Sequence, residues 1–426
     1  MYIKEKLNNG IRVVMEEIPY VNSVSIGVLV NNGSIKEKDD LNGISHFIEH
    51  MLFKGTSNRS AKELAESIDD VGGQINAFTG TEYTCFYVRV LDKHLPIAID
   101  VLSDMLNNST FGEKDIEKEK GVIIEEINMY LDSPEDIVYD ILSETMFENT
   151  SLALPILGTY ETVSNLDRDT IMNYYKRHYT TENIVISIVG NFQYRETIAM
   201  LNECFYKTSP IEMGLNDGMM EDIPEISQNI GYKLKDTEQL NLCVGMEGVK
   251  RGSDDIYPLL VMNNTFGGSM SSRLFQRLRE EMGLVYSVYS HPTSFENIGA
   301  FTVYAGLSVN QILNVAKLVN EDIEDLKDNL ITDYELIRSK EQLKGNYILG
   351  MESTSNRMFE IGKSELLLNK VLSPEDILNK IDKVQMVDIE RVVTNIFNRD
   401  KYNIAYVGKL SDPEKINNNL KEIFFS

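Results

Sequence analysis

The sequence repeats itself, and this repeat constrains the fold more than any other feature. Two strand-like runs followed by a Gly-Ser turn begin at Ile11 and again at Ile230. The strand-like run that ends at Gly190 has a counterpart that ends at Gly408, so the offset is 219 residues at the start and 218 at the close. Chance apolar runs seldom keep a common offset over such a length. We therefore infer an internal duplication into two domains.

Length and residue pattern agree with that division. A chain of 426 residues is too long for one ordinary core. Residues 24–30 alternate in the manner of a half-buried strand, whereas other stretches show helical spacing, so the chain is expected to contain both strands and helices. Residues 208–228 are rich in Pro, Gly, Met and acidic residues without periodicity. We take them as a linker between an N-terminal domain, 1–207, and a C-terminal domain, 229–426.

Composition excludes several classes of protein. The net charge of −25 argues against a nucleic-acid partner, because phosphate binding needs a basic surface. An acidic total either reflects a solvated surface or marks a cavity that attracts basic peptides. Three widely spaced cysteines cannot form a complete disulfide framework and suit a reducing compartment. The first residues lack a signal-peptide pattern and no apolar run reaches membrane-spanning length, so we expect a cytoplasmic protein with no membrane partner.

Residues 45–53 contain two of the five histidines in the chain. On an α-helix His46, Glu49 and His50 fall within an arc of about 100°. Two imidazoles on one face suit zinc, and a carboxylate beside them can take the proton of a water molecule. The order H-x-x-E-H is the signature of the inverted zincins. The alternative is a helix that shows two solvated or buried histidines by coincidence, and a third ligand would decide.

A carboxylate from a second helix is the expected third ligand. Residues 113–131 have a helical pattern rich in Glu and Lys, in which Glu119 and Glu126 are seven apart and share one face. Such a helix is ordinarily a solvated, ion-paired surface. Because the two histidines need a third ligand to bind zinc, one of these carboxylates can instead be that ligand.

The second copy lacks the histidines, since residues 261–268 face the position of His46–His50 without one. It has instead Arg279 and Tyr286, which bracket a helix-to-strand turn. If they face a metal site, a cation and a phenol suit an oxyanion intermediate. The alternative is that Arg279 pairs with neighbouring glutamates and Tyr286 packs in the core.

These motifs make the chain similar to the M16 family of peptidases (pitrilysin and insulin-degrading enzyme), in its short form that resembles mitochondrial processing peptidase. The likeness covers nearly the whole chain. It depends on the H-x-x-E-H run, on a glutamate 76 residues after the second histidine, which is Glu126, and on the Asp-Ser-Pro at 132–134. The resemblance implies that His46, His50 and Glu126 bind zinc and that Glu49 is the general base.

The same resemblance implies roles for further residues. Glu119 corresponds to a carboxylate that supports the ligands from behind, and Glu125 is the rival third ligand if the register is off by one. Residues 73–77 resemble the substrate-binding edge strand of the family, along which an extended peptide would pair near Asn76 and Ala77. Arg279 and Tyr286 resemble an Arg/Tyr pair that assists from the C-terminal half.

The resemblance also implies architecture and assembly. Each of the two duplicated domains would have an α+β fold, with a mostly antiparallel sheet packed against helices. The chain is half the length of the fused members, whose halves close into a chamber, so we expect a second protomer to complete one. Because the zinc motif and the Arg/Tyr pair are both present, a homodimer suffices. One departure is Thr-Ser-Leu-Ala-Leu at 150–154, where His and Arg are expected.

The function that follows is a zinc-dependent endopeptidase that hydrolyses unfolded peptides inside a chamber closed by a second protomer. One alternative is a catalytically silent partner or structural subunit, although such members typically lose the motif. Another is a metal- or peptide-binding module without turnover. The sequence leaves open the cleavage specificity, a hetero-partner and the identity of the divalent ion, since a His-His-Glu site accepts several.

Overall fold

A computed structural model describes residues 2–209 and 224–426, which form two compact units. Unit 1 comprises the described parts of Met1–Ile127, Leu154–Met220 and Ile348–Ser373. Unit 2 comprises the described parts of Asn128–Ala153, Glu221–Tyr347 and Pro374–Ser426. Each unit thus combines segments from both halves of the sequence. Within the predicted linker, residues 210–223 lie outside the described residues.

Unit 1 is built on a six-stranded sheet. Its strands are β1 (Ile3–Lys6), β2 (Arg12–Glu17), β3 (Ser23–Val30), β4 (Gln74–Thr79), β5 (Thr84–Leu91) and β6 (Ile184–Gly190). Their order in the sheet is β1-β2-β6-β3-β5-β4. β2 and β6 are parallel, and the other neighbours are antiparallel. The sheet therefore ends at β4 on one side.

Eight α-helices are described up to residue 209. They are α1 (Ile44–Leu52), α2 (Ala61–Asp69), α3 (Leu95–Asn108), α4 (Glu113–Leu131), α5 (Pro134–Met146), α6 (Tyr160–Asn165), α7 (Arg168–His178) and α8 (Tyr194–Cys204). Ser60 and Glu63 form a capping box at the start of α2, as their Ser-x-x-Glu pattern predicts. Helix α4 has the bounds that the sequence pattern indicates.

Unit 2 is built on a similar sheet of five strands. They are β7 (Asn229–Leu234), β8 (Gln239–Gly248), β9 (Val285–Ser294), β10 (Gly299–Ser308) and β11 (Asn403–Gly408). Their order, β7-β11-β8-β10-β9, reproduces β2-β6-β3-β5-β4, and the first pair is again parallel. The two duplicated α+β domains expected from the sequence are confirmed.

The helices after residue 224 complete the chain. They are α9 (Ile256–Phe266), α10 (Ile312–Asn329), α11 (Asp333–Gly350), α12 (Thr354–Leu368), α13 (Pro374–Lys383), α14 (Met386–Ile396) and α15 (Pro413–Phe424). Short 3₁₀ segments occur at Ser34–Lys36, Asp39–Leu41, Asp92–His94, Ser151–Ala153, Val309–Gln311 and Arg399–Lys401. The run of basic and acidic residues at 271–281, whose pattern predicts a helix, forms mainly a π-helical segment, Phe275–Glu281.

Each sheet is covered on its second face by a helix from the other half of the sequence. In unit 1, Met358 and Ile361 of α12 pack on the side of the sheet opposite α1 and α3. Gly27 of β3 permits this approach, because a Cβ there would lie 2.4 Å from the sulfur of Met358. In unit 2, Val138 and Leu142 of α5 pack on the corresponding side. Coverage of both faces explains why every residue of β6 is buried.

Among residues 2–209 and 224–426, no helix combines the length and the apolar composition that crossing a bilayer requires.

Candidate active site

Helix α1 presents the H-x-x-E-H run on one side and anchors the other in the core. Phe47, Ile48 and Met51 are buried in the core of unit 1, which fixes the rotation of the helix. His46 is also buried, with 7% of its surface exposed, whereas Glu49 and His50 are half-buried. The periodicity of α1 therefore turns the two histidines and the glutamate toward a common partially exposed side.

Helix α4 contributes the two carboxylates that the sequence places two turns apart. Glu126 is partly exposed, and its Oε2 lies 3.7 Å from His46 Nε2 and 3.5 Å from His50 Nε2. The three side chains each offer one ligand atom, and these atoms lie within 4.8 Å of one another. Glu125, the rival candidate, is exposed and lies outside this group.

The donor set of this group fits zinc. Two imidazole nitrogens and one carboxylate oxygen are the three protein ligands of many catalytic zinc sites, which keep a fourth position open. Burial, together with the smaller effect of the neighbouring His50, lowers the pKa of His46 to about 3. His46 is therefore neutral near pH 7, the form that can donate a lone pair to a metal.

His50 is held from behind by a buried carboxylate. Its Nδ1 lies 2.8 Å from Oε1 of Glu119, which is 1% exposed. Because a carboxylate only accepts, Nδ1 carries the proton and Nε2 is left with its lone pair toward Glu126. Lys54 Nζ lies 2.7 Å from the other oxygen of Glu119. Burial alone would raise the pKa of Glu119, but the hydrogen bonds from His50 and Lys54 lower it below its ordinary value.

Glu49 lies one residue before His50 and receives a hydrogen bond from the edge of the sheet. The hydroxyl of Thr79, the last residue of β4, donates to Glu49 Oε2. Burial raises the pKa of Glu49, and the Thr79 hydrogen bond opposes that shift. A carboxyl whose pKa is raised toward neutrality can both take and return a proton, as a general base must.

Strand β4 carries Asn76 and Ala77, the two residues expected to contact substrate. In the described chain β4 pairs with β5 only, so its outer backbone faces no strand. The side chain of Asn76 accepts a hydrogen bond from the backbone N–H of Ala77 at 2.8 Å. An unpaired edge of this kind can accept an extended peptide by strand addition.

Arg279 and Tyr286 lie together in unit 2. The guanidinium carbon of Arg279 lies 5.9 Å from the ring centre of Tyr286 and 5.0 Å from that of Phe275. Tyr286 is 72% exposed, so it is not a core residue. Arg279 makes no ion pair with any residue in the described ranges. The two side chains form a stacked, solvent-facing cation and phenol.

Two residues of the site were not predicted from the sequence. Lys54 stands four residues after His50, but only the structure shows that it contacts Glu119. Thr79 directly follows the Asn-Ala-Phe run of β4, but its contact with Glu49 depends on the packing of α1 against the strand. Lys54 lies two residues after the end of α1, so its proximity in the sequence is a weak signal, whereas no local pattern identifies Thr79.

Family models match most of the chain. Residues 12–160 match the model described as Insulinase (Peptidase family M16), and residues 165–343 match the one described as Peptidase M16 inactive domain. A protein of Bacillus subtilis named as an uncharacterised zinc protease, YmxG, is 45% identical over 401 residues, which cover 94% of this chain and 96% of that protein. An uncharacterised zinc protease of Streptomyces coelicolor is 38% identical over 412 residues, which cover 96% of this chain and 90% of that protein.

Solved structures share the fold at lower identity. A protease from Helicobacter pylori superposes with a TM-score of 0.90 at 21% identity, over 96% of this chain and 99% of that one. A peptidase M16 inactive domain from Pseudomonas fluorescens superposes with a TM-score of 0.88 at 17% identity, over 96% and 98%.

Proposed function

This chain belongs to peptidase family M16. From that membership we propose that it is an endopeptidase that uses the H-x-x-E-H motif of α1 to cleave unfolded peptides. It is a zinc metallopeptidase, as its relatives are, and peptides are its substrates. The convergence of His46, His50 and Glu126, with Glu49 beside them, is the observation that carries the proposal.

His46, His50 and Glu126 would hold the zinc ion, and Glu119 with Lys54 would fix the ring of His50. When bound, zinc polarises a scissile carbonyl and makes water more acidic. Glu49 then takes the proton of the attacking water and returns it to the leaving amine. The hydroxyl of Thr79 keeps the carboxylate of Glu49 in place for both transfers.

Strand β4 would hold the substrate. A peptide that adds along the free edge at Asn76 and Ala77 lies next to Thr79, and through it next to Glu49. Strand addition requires an extended backbone over several residues. A folded protein cannot present one, so unfolded peptides are the expected substrate class.

We further propose that two protomers form the working enzyme. Arg279 and Tyr286 of one protomer would serve the zinc site of the other by stabilising the oxyanion, in a chamber that the second protomer closes. The exposure of Tyr286 and the lack of an ion pair at Arg279 among described residues leave both side chains available for this task. The proposal also divides the chain into a catalytic domain, 1–207, a linker, 208–228, and a domain with the Arg/Tyr pair, 229–426. It places the protein in the cytoplasm.

The experiment is cleavage of a quenched, unstructured peptide by the zinc-loaded protein. We expect cleavage that a chelator abolishes and zinc restores, and resistance of a stably folded protein. Zinc-loaded protein that cleaves no peptide would favour a silent partner subunit instead.

A mixed dimer tests the shared site. E49Q and R279A chains with different tags are coexpressed, and the doubly tagged species is purified. Each variant alone should be inactive, and the mixed dimer should recover up to half of the wild-type rate. Absence of a doubly tagged species would contradict the homodimer, and a mixed dimer without activity would contradict the shared site.

A further inference from the structure

The first turn of α1 has no cap of its own. Gly43 precedes the helix with φ +91° and ψ −2°, a left-handed conformation, and it has no side chain to accept a hydrogen bond. A Cβ at this position would lie 2.7 Å from the carbonyl oxygen of Leu157, so no larger residue fits without movement. The N–H groups at the start of a helix lack partners within it, and here they are buried. They need an acceptor from elsewhere.

Glu37 supplies that acceptor from six residues before Gly43. One carboxylate oxygen of Glu37 accepts from the backbone N–H of Ser45 at 2.8 Å, and the other accepts from that of Gly43 at 2.7 Å. The second oxygen also accepts from the side chain of Asn42 at 2.9 Å. Glu37 is 3% exposed, so these contacts are shielded from water. A carboxylate at a helix N-terminus also interacts favourably with the helix dipole.

The side chain of Ser45 is fixed as well. Its hydroxyl accepts a hydrogen bond from the side-chain amide of Asn32 at 3.0 Å, and the Tyr174 hydroxyl donates to the other end of that amide at 2.9 Å. Both the main chain and the side chain of the residue before His46 are therefore held by buried polar partners.

His46 depends on this anchoring more than His50 does. The Nδ1 atom of His50 is held by Glu119, whereas that of His46 is buried and has no hydrogen-bond partner among the described residues. Metal-binding histidines are ordinarily oriented through their second nitrogen. For His46, the backbone of the first helical turn, together with packing, must do this.

We propose that Glu37 is a positioning residue of the metal site, which caps α1 and thereby holds His46 in place for the metal. The inference rests on the proposed function, in that it takes His46 as a ligand. Glutamine in place of Glu37 keeps the size but has one acceptor oxygen, so an amide N–H must face either Ser45 N–H or Gly43 N–H.

The test compares zinc affinity, by competition with a chromophoric chelator, in wild type, E37Q and E365Q. Glu365 is a matched control, because it is a buried carboxylate of the same unit that pairs with Lys4 and Arg12 rather than with α1. We expect E37Q to bind zinc about five- to tenfold more weakly, the equivalent of a lost helix cap. E365Q should lower the unfolding temperature and leave zinc affinity within about twofold.

A double-mutant cycle identifies the route of the effect. In an H46A background, E37Q should change zinc affinity by less than about twofold, because the residue it positions is gone. Wild-type affinity in E37Q, an equal loss in E365Q, or a full loss in the H46A background would each overturn the proposal. If E37Q does not fold, E37D is used under the same criteria. If wild type binds no zinc, the proposed function is refuted instead. The affinity assay therefore separates failure of the proposed function from failure of the Glu37 proposal, without any measurement of cleavage.

Discussion

Nδ1 of His50 lies 2.8 Å from Oε1 of Glu119, and this contact joins a proposed zinc ligand on one helix to a buried carboxylate on another. Removing the acceptor frees the imidazole ring and leaves Lys54 without its partner. We expect E119A to bind zinc about ten- to hundredfold more weakly, the usual effect of losing a partner behind a ligand. Competition with a chelator measures this.

The control for that prediction is on the same helix. Glu117 is 71% exposed, and among the residues that the structure describes it pairs only with Lys120, three residues on. E117A should bind zinc as wild type does. Unchanged zinc affinity in E119A would show that Glu119 does not support the site.

Thr79 offers a test of how Glu49 is held. T79V removes the hydroxyl that donates to the carboxylate of Glu49, with little change in shape. Since a hydrogen bond to a charged group contributes about 1.5–3 kcal/mol, we expect kcat to fall about ten- to hundredfold. KM and zinc content should stay near the wild-type values.

T79S is the matched variant, because it keeps the hydroxyl. Steady-state kinetics on the quenched peptide should show T79S within about threefold of wild type. Equal losses in T79S and T79V would mean that the methyl group of Thr79, and not its hydrogen bond, matters.

Asp140 on α5 should make the free energy of unfolding depend on pH. Burial, together with the charges of Asp136 and Glu144, raises the pKa of this carboxyl to about 6, although a hydrogen bond with Tyr130 opposes the shift. A carboxyl whose pKa rises on folding binds more protons in the folded state, so its contribution to the free energy of unfolding declines as pH rises from about 4 to about 6. D140N should therefore stabilise the protein above pH 6, by about 1–2 kcal/mol after screening, and much less near pH 4.

Denaturant unfolding of metal-free protein checks this at both pH values. Circular dichroism is the suitable probe, because the chain contains no Trp. D40N, at an exposed aspartate, is the control and should differ little from wild type at either pH. A stabilisation by D140N that is as large at pH 4 as at pH 8 would contradict the raised pKa.

Local pattern predicted the elements that bear the motifs. The bounds of α4 and the end of β11 at Gly408 follow from the sequence pattern, and the run from His46 to His50 lies on the observed helix Ile44–Leu52. The duplication predicted two equivalent sheets because strands of one copy must pair as those of the other do. These features depend on residues close together in the sequence or on a repeat visible within it.

Contacts between distant segments could not be predicted in this way. The cap that Glu37 places on α1 depends on how the chain turns at Gly43, and the hydrogen bond of Thr79 depends on the position of β4 beside α1. The spacing of apolar residues also does not predict that Phe275–Glu281 is π-helical. The covering of the unit 1 sheet by α12 is likewise a long-range contact.

The proposed function depends most directly on Glu49 as the general base of a zinc peptidase. Wild type and E49Q are purified alike, and zinc content and cleavage of a quenched, unstructured peptide are measured on the same samples. Both proteins should hold about one zinc per chain, and E49Q should cleave about 10²–10⁴ times more slowly than wild type. Comparable cleavage by zinc-loaded E49Q would contradict the role of Glu49, and no cleavage by zinc-loaded wild type would contradict the peptidase itself.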